Sequence, residues 1–516
     1  MPRLPQSIFN SQTRRASLWL MVFGMMGILL VLLYHDAEQQ DSAYHFLFAR
    51  WAWRHPVFFV SVWARPLFTL FYFLPAQLGY PAAKLFSVII SLATAWQTFR
   101  LAEQVKLQRS ELVIPFVFLQ PAFFALSSAV MTEALFALLF VIALRLHVAG
   151  RIKSGMLVAS LLILVRPEGF FICVLWGIWI LRIGDANDFG GWSVKAWLPN
   201  LLRFPQSAIR NPQWLLLATG IFAWWLAAYW LTGDKLWIAH NWPPDWEIRG
   251  QANGTGPIWW YVAQMPLIAG MPLLIPFVIG LWLLLRRKEL FFATSSFLTL
   301  FVLHSLMFWR GWFGSAGYAR YFVCVSPVIA LVTLVGWAEM VEWRPKLLDH
   351  LKPGAAISML ALAAIFCLFY MDSIRFTRDA RAVEKMQDWL QSNHPQLIHR
   401  TTRLICSQVY TRVLLGRDPW EKPSFNADRE SNLKLIRQSP AGTLVLWDED
   451  TGPKWYKLRA EDFATSGYKL LGSQSFTLKG WLIRLDWKYW GGPRFQRMYW
   501  LYKPQPEHDP SILEAG

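Results

Sequence analysis

SLWLMVFGMMGILLVLLY (Ser17–Tyr34) is a run without any Asp, Glu, Lys or Arg, and HDAEQQD (His35–Asp41) follows it directly. The run is long enough to cross about 30 Å of hydrocarbon as a helix. No small-residue cleavage site follows it, so we expect a retained transmembrane helix and not a removable signal peptide. The sequence therefore predicts a span that ends in three carboxylates, those of Asp36, Glu38 and Asp41.

Uncharged runs that are each long enough to cross recur at Trp214–Leu231, Pro257–Leu285 and Gly354–Met371. Of the 516 residues, 55% are hydrophobic and 16% are charged, and the charges are grouped between the apolar runs. This is the composition of a membrane protein. The apolar runs predict eleven crossings, at residues 17–34, 82–99, 112–131, 134–149, 155–165, 169–181, 214–231, 260–285, 290–308, 321–341 and 354–371.

The basic residues orient these predicted helices. With eleven crossings and Met1 in the cytoplasm, nineteen Lys and Arg fall in cytoplasmic segments and eight in outer segments, as the positive-inside rule requires. A single helix over 155–181 would reverse every later segment and place Arg166 and Glu168 near the membrane centre, at a cost of several kcal/mol. We therefore predict two short helices that meet near the outer face.

The formal net charge is +17, but the basic residues cluster beside apolar runs, where they indicate orientation. A nucleic-acid partner is therefore not expected. Three of the four cysteines lie in apolar runs and only Cys406 lies in the tail, so the spacing of a disulfide framework or a zinc site is absent from the sequence.

Two regions differ from the apolar runs. Residues 35–81 are too polar to cross and rich in aromatic side chains, which predicts helices in the outer interface. After Met371 the composition becomes that of a soluble protein, with an amphipathic helix at Arg381–Ser392. Strands are predicted at 402–406, 442–447, 468–476 and 481–487. The predicted fold class is an α-helical polytopic membrane protein, with a membrane domain over 1–372 and an extracytoplasmic α/β domain over 373–516.

Ionisable residues are predicted at the outer ends of several helices. Asp36, Glu38 and Asp41 either form a solvated helix end or supply a general base, because a carboxylate at a semi-apolar boundary can take up a proton. Glu133 begins the fourth predicted span after Thr132, where an acid also serves simply to stabilise a helix N-terminus.

Two arginines are also predicted to lie at the outer ends of helices. Arg166 and Glu168 lie in RPEG (Arg166–Gly169) and could simply pair across a helix break. Arg320 follows a glycine-rich loop, where a guanidinium either anchors the helix at the interface or binds a lipid phosphate. In the predicted outer loop 232–258, His240 and Asn241 are candidate acceptor contacts, although an irregular loop alone explains them.

Together these features resemble the GT-C superfamily of membrane glycosyltransferases over nearly the whole membrane part. HDAEQ (His35–Gln39) is similar to the His-Pro-Asp-Glu pattern of mannosyltransferases in that class, and SSAVMTEALF (Ser127–Phe136) resembles the stretch leading into their fourth helix. RPEG and YARY (Tyr318–Tyr321) resemble stretches of bacterial members. The sequence departs from the pattern at Ala37, which leaves open whether Asp36 or Glu38 is the base.

The resemblance implies an inverting transfer of a sugar, mannose or a similar hexose or pentose, from a polyprenyl-phosphate carrier to a lipid, glycan or protein acceptor. The implied location is the plasma membrane, with a bacterial inner membrane expected, the N-terminus cytoplasmic and the C-terminus extracytoplasmic. Asp36 is implied as the general base, with Glu38, Asp41 and Glu133 orienting the acceptor or tuning the charge. The implied ligands of the donor phosphate are Arg166, Tyr318 and Arg320.

Asp36, Glu38 and Glu133 together could hold Mg²⁺ or Mn²⁺, because carboxylates suit these ions. A phosphate leaving group that carries few charges needs a metal less, so no cofactor is expected. A lipid-linked saccharide transporter or flippase would need ionisable residues in several spans and an inverted repeat, and only Lys84, His304 and the Arg166 region are of that kind. A non-catalytic membrane protein would leave the ionisable groups unexplained.

Overall fold

The computed structural model describes residues 6–33, 39–183, 212–242, 254–287, 290–342, 352–373, 376–478 and 494–504. Asp36 and Glu38 lie outside these ranges. The chain divides into two compact units, residues 1–33 with 48–371 and residues 34–47 with 372–516.

The first unit is helical. Its α-helices are α1 (Gln6–Leu33), the C-terminal end of α2 (Gln39–Trp51), α3 (Pro66–Gln77), α4 (Tyr80–Gln104), α5 (Val113–Phe118), α6 (Pro121–Leu126), α7 (Thr132–Val148), α8 (Ile152–Ser160), α9 (Glu168–Ile183), α10 (Thr219–Thr232), α11 (Trp237–His240), α12 (Trp260–Met265), α13 (Leu274–Arg287), α14 (Phe291–Arg310), α15 (Ser326–Glu342) and α16 (Lys352–Ser373).

Short segments of other helix types lie between these helices. The 3-10 helices are Pro56–Phe59, Ser110–Leu112, Leu161–Leu164, Pro212–Ala218, Trp312–Gly314 and Ala319–Val325, and a π-helix spans Pro266–Gly270.

Within the described residues, five helices are long and apolar enough to cross a membrane: Ser11–Leu33, Tyr80–Gln104, Pro212–Thr232, Phe292–Arg310 and Ala319–Val341. The pair Trp260–Gly270 and Leu274–Arg286 adds a sixth if it forms one span, and it is bent by 108°. Shorter apolar helices cover Ile152–Leu164, Glu168–Ile180 and Ile357–Met371. The count of eleven crossings stays a prediction.

Two of the predicted spans are not continuous helices. The predicted span 112–131 breaks at Gln120, whose backbone is extended, because Pro121 follows it and disfavours a helical conformation at the preceding residue. The predicted span 260–285 bends at the π-helix Pro266–Gly270 and the turn after it. Hydropathy detects the apolar length of such segments but not their breaks.

Small polar side chains pack the buried face of α4. The Tyr72 hydroxyl lies 2.8 Å from the Ser87 hydroxyl, and Ser91 donates to the Ser127 carbonyl at 3.2 Å. The Thr94 hydroxyl donates a hydrogen bond within its own helix, to the carbonyl of Ile90. Small polar residues allow close helix approach in membranes. The contact of Ser91 holds the segment that leads into α7.

The second unit is an α/β domain. Its helices are the N-terminal part of α2, α17 (Phe376–Asn393), α18 (Pro395–Arg400), α19 (Tyr410–Leu414), α20 (Arg429–Gln438), α21 (Thr451–Tyr456) and α22 (Ala460–Ala464), and its strands are β1 (Arg403–Cys406), β2 (Thr443–Asp448), β3 (Lys469–Leu478) and β4 (Arg494–Tyr502). The strand order is β1-β2-β4-β3, with β1 parallel to β2 and the other pairs antiparallel.

Both faces of this sheet are covered. Val445 and Trp447 of β2 pack with Ile436 of α20 in the core on one face. On the other face, Trp500 of β4 donates from its indole to the carbonyl of Met386 in α17 at 2.7 Å. The predicted amphipathic helix and the first three predicted strands coincide with α17, β1, β2 and β3. The predicted strand 481–487 lies outside the described residues, and β4 was not predicted.

Candidate functional site

Glu133 lies in the first turn of α7, which begins at Thr132 after the extended backbone of Met131. The negative carboxylate suits a helix N-terminus. Glu133 is completely buried, and the Thr132 hydroxyl donates to its Oε2 at 3.3 Å. A buried carboxylate is costly unless a cation neutralises it, so this position requires a positive partner.

Arg166 is that partner. Its Nη1 lies 2.7 Å from Glu133 Oε1 and donates to the Thr132 hydroxyl at 3.0 Å. Its Nη2 and Nε donate to the two carboxylate oxygens of Glu168 at 2.6 and 3.2 Å. This is the two-pronged geometry in which a planar guanidinium binds a carboxylate most strongly. One arginine therefore holds two buried carboxylates.

Gly169 permits the sharp turn that brings Arg166 and Glu168 together. Its N–H donates to the Arg166 carbonyl at 3.0 Å. A Cβ at this position would lie 2.4 Å from the carbonyl carbon of Leu162, which is too close for any other residue. The helix break predicted between 155–165 and 169–181 is thus present, and the glycine fixes its geometry.

Arg320 approaches Glu133 from another part of the chain. Its Nε lies 3.8 Å from Glu133 Oε1, and its guanidinium carbon lies 4.7 Å from the centre of the Tyr318 ring. The preceding loop depends on Gly317, which has φ +69° and whose carbonyl accepts a hydrogen bond from the Trp260 indole at 2.8 Å. The YARY stretch therefore places a cation–π pair beside the buried carboxylates.

Arg65 is a third guanidinium near this site, and its role was not predicted. It precedes α3 with φ 64° and ψ 99°, and its Nη1 donates to the Val62 carbonyl at 3.0 Å. Its charge interacts with those of Arg166, Glu168 and Glu133. Burial, and then the charge of Arg166, lowers the pKa of Arg65 to about 10. Arg65 therefore keeps its positive charge at neutral pH.

His304 also faces the buried ion pairs. Its Nε2 lies 3.8 Å from Glu168 Oε1, and its ring stacks on Tyr321 at 4.8 Å between centres. The Tyr321 ring centre lies in turn 5.7 Å from the guanidinium carbon of Arg166. The sequence signalled His304 only as an ionisable residue within a predicted span.

We call Arg65, Glu133, Arg166, Glu168 and Arg320 the charge cluster. It contains three guanidiniums and two carboxylates, so these five side chains carry one surplus positive charge. In a buried, low-dielectric environment such a charge attracts an anion strongly. The cluster joins Glu133, Arg166 and Arg320, three of the residues singled out from the sequence, with Tyr318 against Arg320.

The other predicted site residues lie elsewhere or are not described. Asp41 is half-buried in the first turn of α2 and belongs to the second unit. His240 and Asn241 are exposed, with His240 Nδ1 2.9 Å from Asp234 Oδ2 and Asn241 donating to the Trp237 carbonyl at 3.1 Å. The acceptor contacts assigned to them stay predictions.

Asp36, Glu38 and Glu133 are the carboxylates for which the sequence raises a metal site. Within the part of the chain that the structure describes, no group of three or more His, Cys, Asp or Glu residues is placed to hold a metal ion. Because Asp36 and Glu38 lie outside that part, the expectation that no metal is needed stays a prediction.

Comparison with known proteins shows a likeness of fold. No protein-family model and no curated protein matches the sequence. The structure is similar to the crystal structure of ArnT from Cupriavidus metallidurans bound to undecaprenyl phosphate, with a TM-score of 0.55 over 96% of this chain and 99% of that chain, at 12% identity. At this identity the likeness is one of fold.

The chain has a GT-C-like fold, that of the ArnT structure. The predicted resemblance and fold class, a polytopic α-helical membrane protein with a C-terminal α/β domain, are confirmed at the level of the fold.

Proposed function

We propose that this chain is a membrane glycosyltransferase that moves a sugar, mannose or a similar hexose or pentose, from a polyprenyl-phosphate carrier to an acceptor. The proposed location is the plasma membrane of a bacterium, with the N-terminus in the cytoplasm and the reaction at the outer face. Two observations support the proposal. One is the GT-C-like fold, and the other is the surplus positive charge of the charge cluster.

The surplus charge is the observation that carries the proposal. A phosphodiester has one negative charge, which equals the surplus of three guanidiniums over two carboxylates. Arg166 is occupied by Glu133 and Glu168 at 2.7 and 2.6 Å, so the phosphate ligands proposed with most weight are Arg320 and Arg65. The undecaprenyl phosphate bound in the ArnT crystal structure supports a lipid phosphate as the anion.

The proposed reaction is a single displacement. A carboxylate base, Asp36 or else Glu38, removes the proton from an acceptor hydroxyl or amine. The acceptor atom forms a bond to the anomeric carbon as the bond from that carbon to the phosphate oxygen breaks on the opposite face, which inverts the configuration. The electron pair stays on the carrier phosphate, where guanidiniums stabilise the growing negative charge.

Glu133 is proposed to tune the charge of the site and not to act as the base. Its carboxylate is already engaged by two guanidiniums, with Oε1 2.7 Å from Arg166 Nη1 and 3.8 Å from Arg320 Nε. Asp41 is proposed to orient the acceptor, together with His240 and Asn241.

A turnover assay tests the proposal. The full-length chain in lipid nanodiscs receives short-chain polyprenyl-phosphate mannose or glucose together with a bacterial lipid extract as the source of acceptor, and release of the carrier phosphate is measured. Asp36→Asn is expected to lower turnover by about 10²- to 10⁴-fold, which is the usual contribution of a positioned base. Glu38→Gln shows the same loss only if the presence of Ala37 has moved the role of general base from Asp36 to Glu38.

Glu449→Gln, at an exposed acid of the second unit, is the control and is expected to keep native turnover. Near-native turnover in both Asp36→Asn and Glu38→Gln would contradict the base assignment. If the native chain releases no carrier phosphate from either donor and does not bind the carrier, the proposed function is wrong.

A further inference from the structure

We infer that a set of neutral polar side chains beside the charge cluster binds the sugar of the donor, and that this sugar is uncharged. The set, called the polar wall, consists of Tyr261, Gln264, His304 and Ser315. The inference rests on the proposed function, because it names the substrate class of the same site.

The polar wall is built from two helices and a loop. Tyr261 and Gln264 lie one turn apart on α12, so they share a face of that helix. His304 lies on α14, with its ring centre 6.2 Å from that of Tyr261. The Tyr261 hydroxyl faces the hydroxyl of Ser315, in the loop before Arg320. At most 3% of any of the four residues is exposed.

The polar wall adjoins the proposed phosphate site. His304 Nε2 lies 3.8 Å from Glu168 Oε1, and the Tyr261 hydroxyl is close enough to Glu168 and Arg320 to interact with their charges. The sugar of a carrier-linked donor is attached directly to the phosphate. When the phosphate of the donor contacts Arg320, its sugar therefore lies against the polar wall.

Several polar atoms of the wall are available for a ligand. Among the described residues, the two ring nitrogens of His304 and the Nε2 of Gln264 have no hydrogen-bond partner. A buried polar group without a partner is unfavourable, and two such side chains occur here beside one cluster. An imidazole, an amide and two hydroxyls offer both donors and acceptors, which is the chemistry that recognises sugar hydroxyls. The Tyr321 ring, stacked on His304, adds an aromatic face.

The charge balance indicates an uncharged sugar. With the phosphodiester bound, the three guanidiniums and two carboxylates of the charge cluster are neutralised. Both carboxylates already pair with Arg166, so neither is available to hold an ammonium group. A sugar carboxylate would add a second negative charge with no further cation among the described residues of the cluster. Either charge would be unfavourable at this depth.

The test compares phosphodiester carriers that differ only in the sugar, beside the bare carrier, whose phosphate is a monoester. The full-length chain in lipid nanodiscs is titrated with undecaprenyl phosphate and with its glucosyl, mannosyl, glucosaminyl and glucuronosyl derivatives, and the dissociation constants are measured. At least one neutral derivative is expected to bind about tenfold more tightly than the bare carrier. The glucosaminyl and glucuronosyl derivatives are expected to gain nothing over the bare carrier.

Two near-isosteric variants locate the interaction. His304→Phe keeps the ring and removes its nitrogens, and Gln264→Met keeps the chain length and removes the amide. Each is expected to weaken binding of the neutral derivative about three- to tenfold while binding of the bare carrier stays unchanged. Ser296→Ala, on the same helix α14, is the control and is expected to change neither affinity, because the Ser296 hydroxyl donates to the Phe292 carbonyl of its own helix at 2.9 Å.

The outcomes separate this inference from the proposed function. If the native chain binds no undecaprenyl phosphate, the proposed function fails. The inference alone fails if the bare carrier binds and no neutral sugar improves the affinity, or if a charged sugar improves it as much. It also fails if both His304→Phe and Gln264→Met, folded by their thermal unfolding profiles, bind the neutral derivative as tightly as the native chain does.

Discussion

Arg166 Nη1 lies 2.7 Å from Glu133 Oε1, and this ion pair joins the turn after residues 161–164 to the first turn of α7. The same guanidinium holds Glu168. A buried ion pair adds little net stability, because removing the two charges from water costs about as much as their attraction returns. Removing one partner alone is far more damaging, since it leaves a buried charge uncompensated.

Arg166→Met is therefore expected to destabilise the protein by about 3–5 kcal/mol, because two carboxylates remain buried without their main cation. The double variant Arg166→Met, Glu168→Gln removes one charge of each sign and keeps Glu133 beside Arg320, so it is expected to recover most of that loss. Unfolding of the native protein and of the single and double variants in one detergent measures both effects. Arg310→Met, at an exposed arginine, is the control. Equal stability of the single and double variants would show that the charges are not coupled.

Gly169→Ala is expected to destabilise the turn that pairs Arg166 with Glu168. Its Cβ would lie 2.4 Å from the Leu162 carbonyl carbon, so the backbone has to move. Gly177→Ala is a control in the same helix, because its Cβ would meet only Leu217, at 3.6 Å. We expect a loss of about 1–3 kcal/mol for Gly169→Ala and no loss for Gly177→Ala, by thermal unfolding. Equal stability of the two variants would contradict the close approach at Gly169.

At position 65 we expect the glycine variant to be more stable than the alanine variant, which is the reverse of the usual order. Its φ of 64° with ψ of 99° is a conformation that costs a residue with a Cβ about 1–3 kcal/mol. Arg65→Gly removes that cost and Arg65→Ala keeps it, so the glycine variant should be more stable by about 1 kcal/mol after its larger loss of chain entropy. Chemical unfolding of both variants measures the order. A more stable Arg65→Ala would mean that the position is unstrained.

In the second unit, Asp448 is completely buried at the end of β2. The side-chain amides of Gln408 and Gln496 both donate to its Oδ2, and the N–H of Asp450 donates to its Oδ1 at 2.9 Å. Asp448→Leu removes the acceptor of these donors, although Gln408 also donates to the Thr451 hydroxyl at 3.0 Å, and is expected to cost about 2–4 kcal/mol. Faster hydrogen exchange at the amides of β1, β2 and β4 would report this loss of stability. Glu449→Leu, at the exposed neighbour, is the control. Unchanged exchange in Asp448→Leu would contradict a structural role.

The sequence predicted the parts of the fold that depend on periodicity and composition. The apolar runs, the break at Arg166 and the helix and first strands of the second unit all have a local signal. The bend near Pro266 and the break at Gln120 have weaker local signals, because an apolar run looks the same whether or not its backbone is continuous. The strand Arg494–Tyr502 was missed because charged residues interrupt its apolar alternation.

The site was predictable only in part. Arg166 and Arg320 stood out because each follows or precedes a glycine-marked turn at the end of an apolar run. Arg65 gave no such signal, since its approach to the charge cluster depends on the tertiary packing of α3 and on an unusual backbone conformation. His304 was noticed as an ionisable residue within a span, but its partner Glu168 is far away in sequence. Pairings of this kind follow from packing, not from spacing.

Binding of undecaprenyl phosphate to the full-length chain in lipid nanodiscs tests the central claim, that the charge cluster holds a lipid phosphate. Native protein and Arg310→Ala, which changes an exposed arginine outside the cluster, are expected to bind it with the same affinity. Arg320→Ala and Arg65→Gln should each weaken binding by about tenfold or more, the usual effect of losing a hydrogen bond to a charged group. Equal affinity in all four proteins, or no binding by the native chain, would contradict the account.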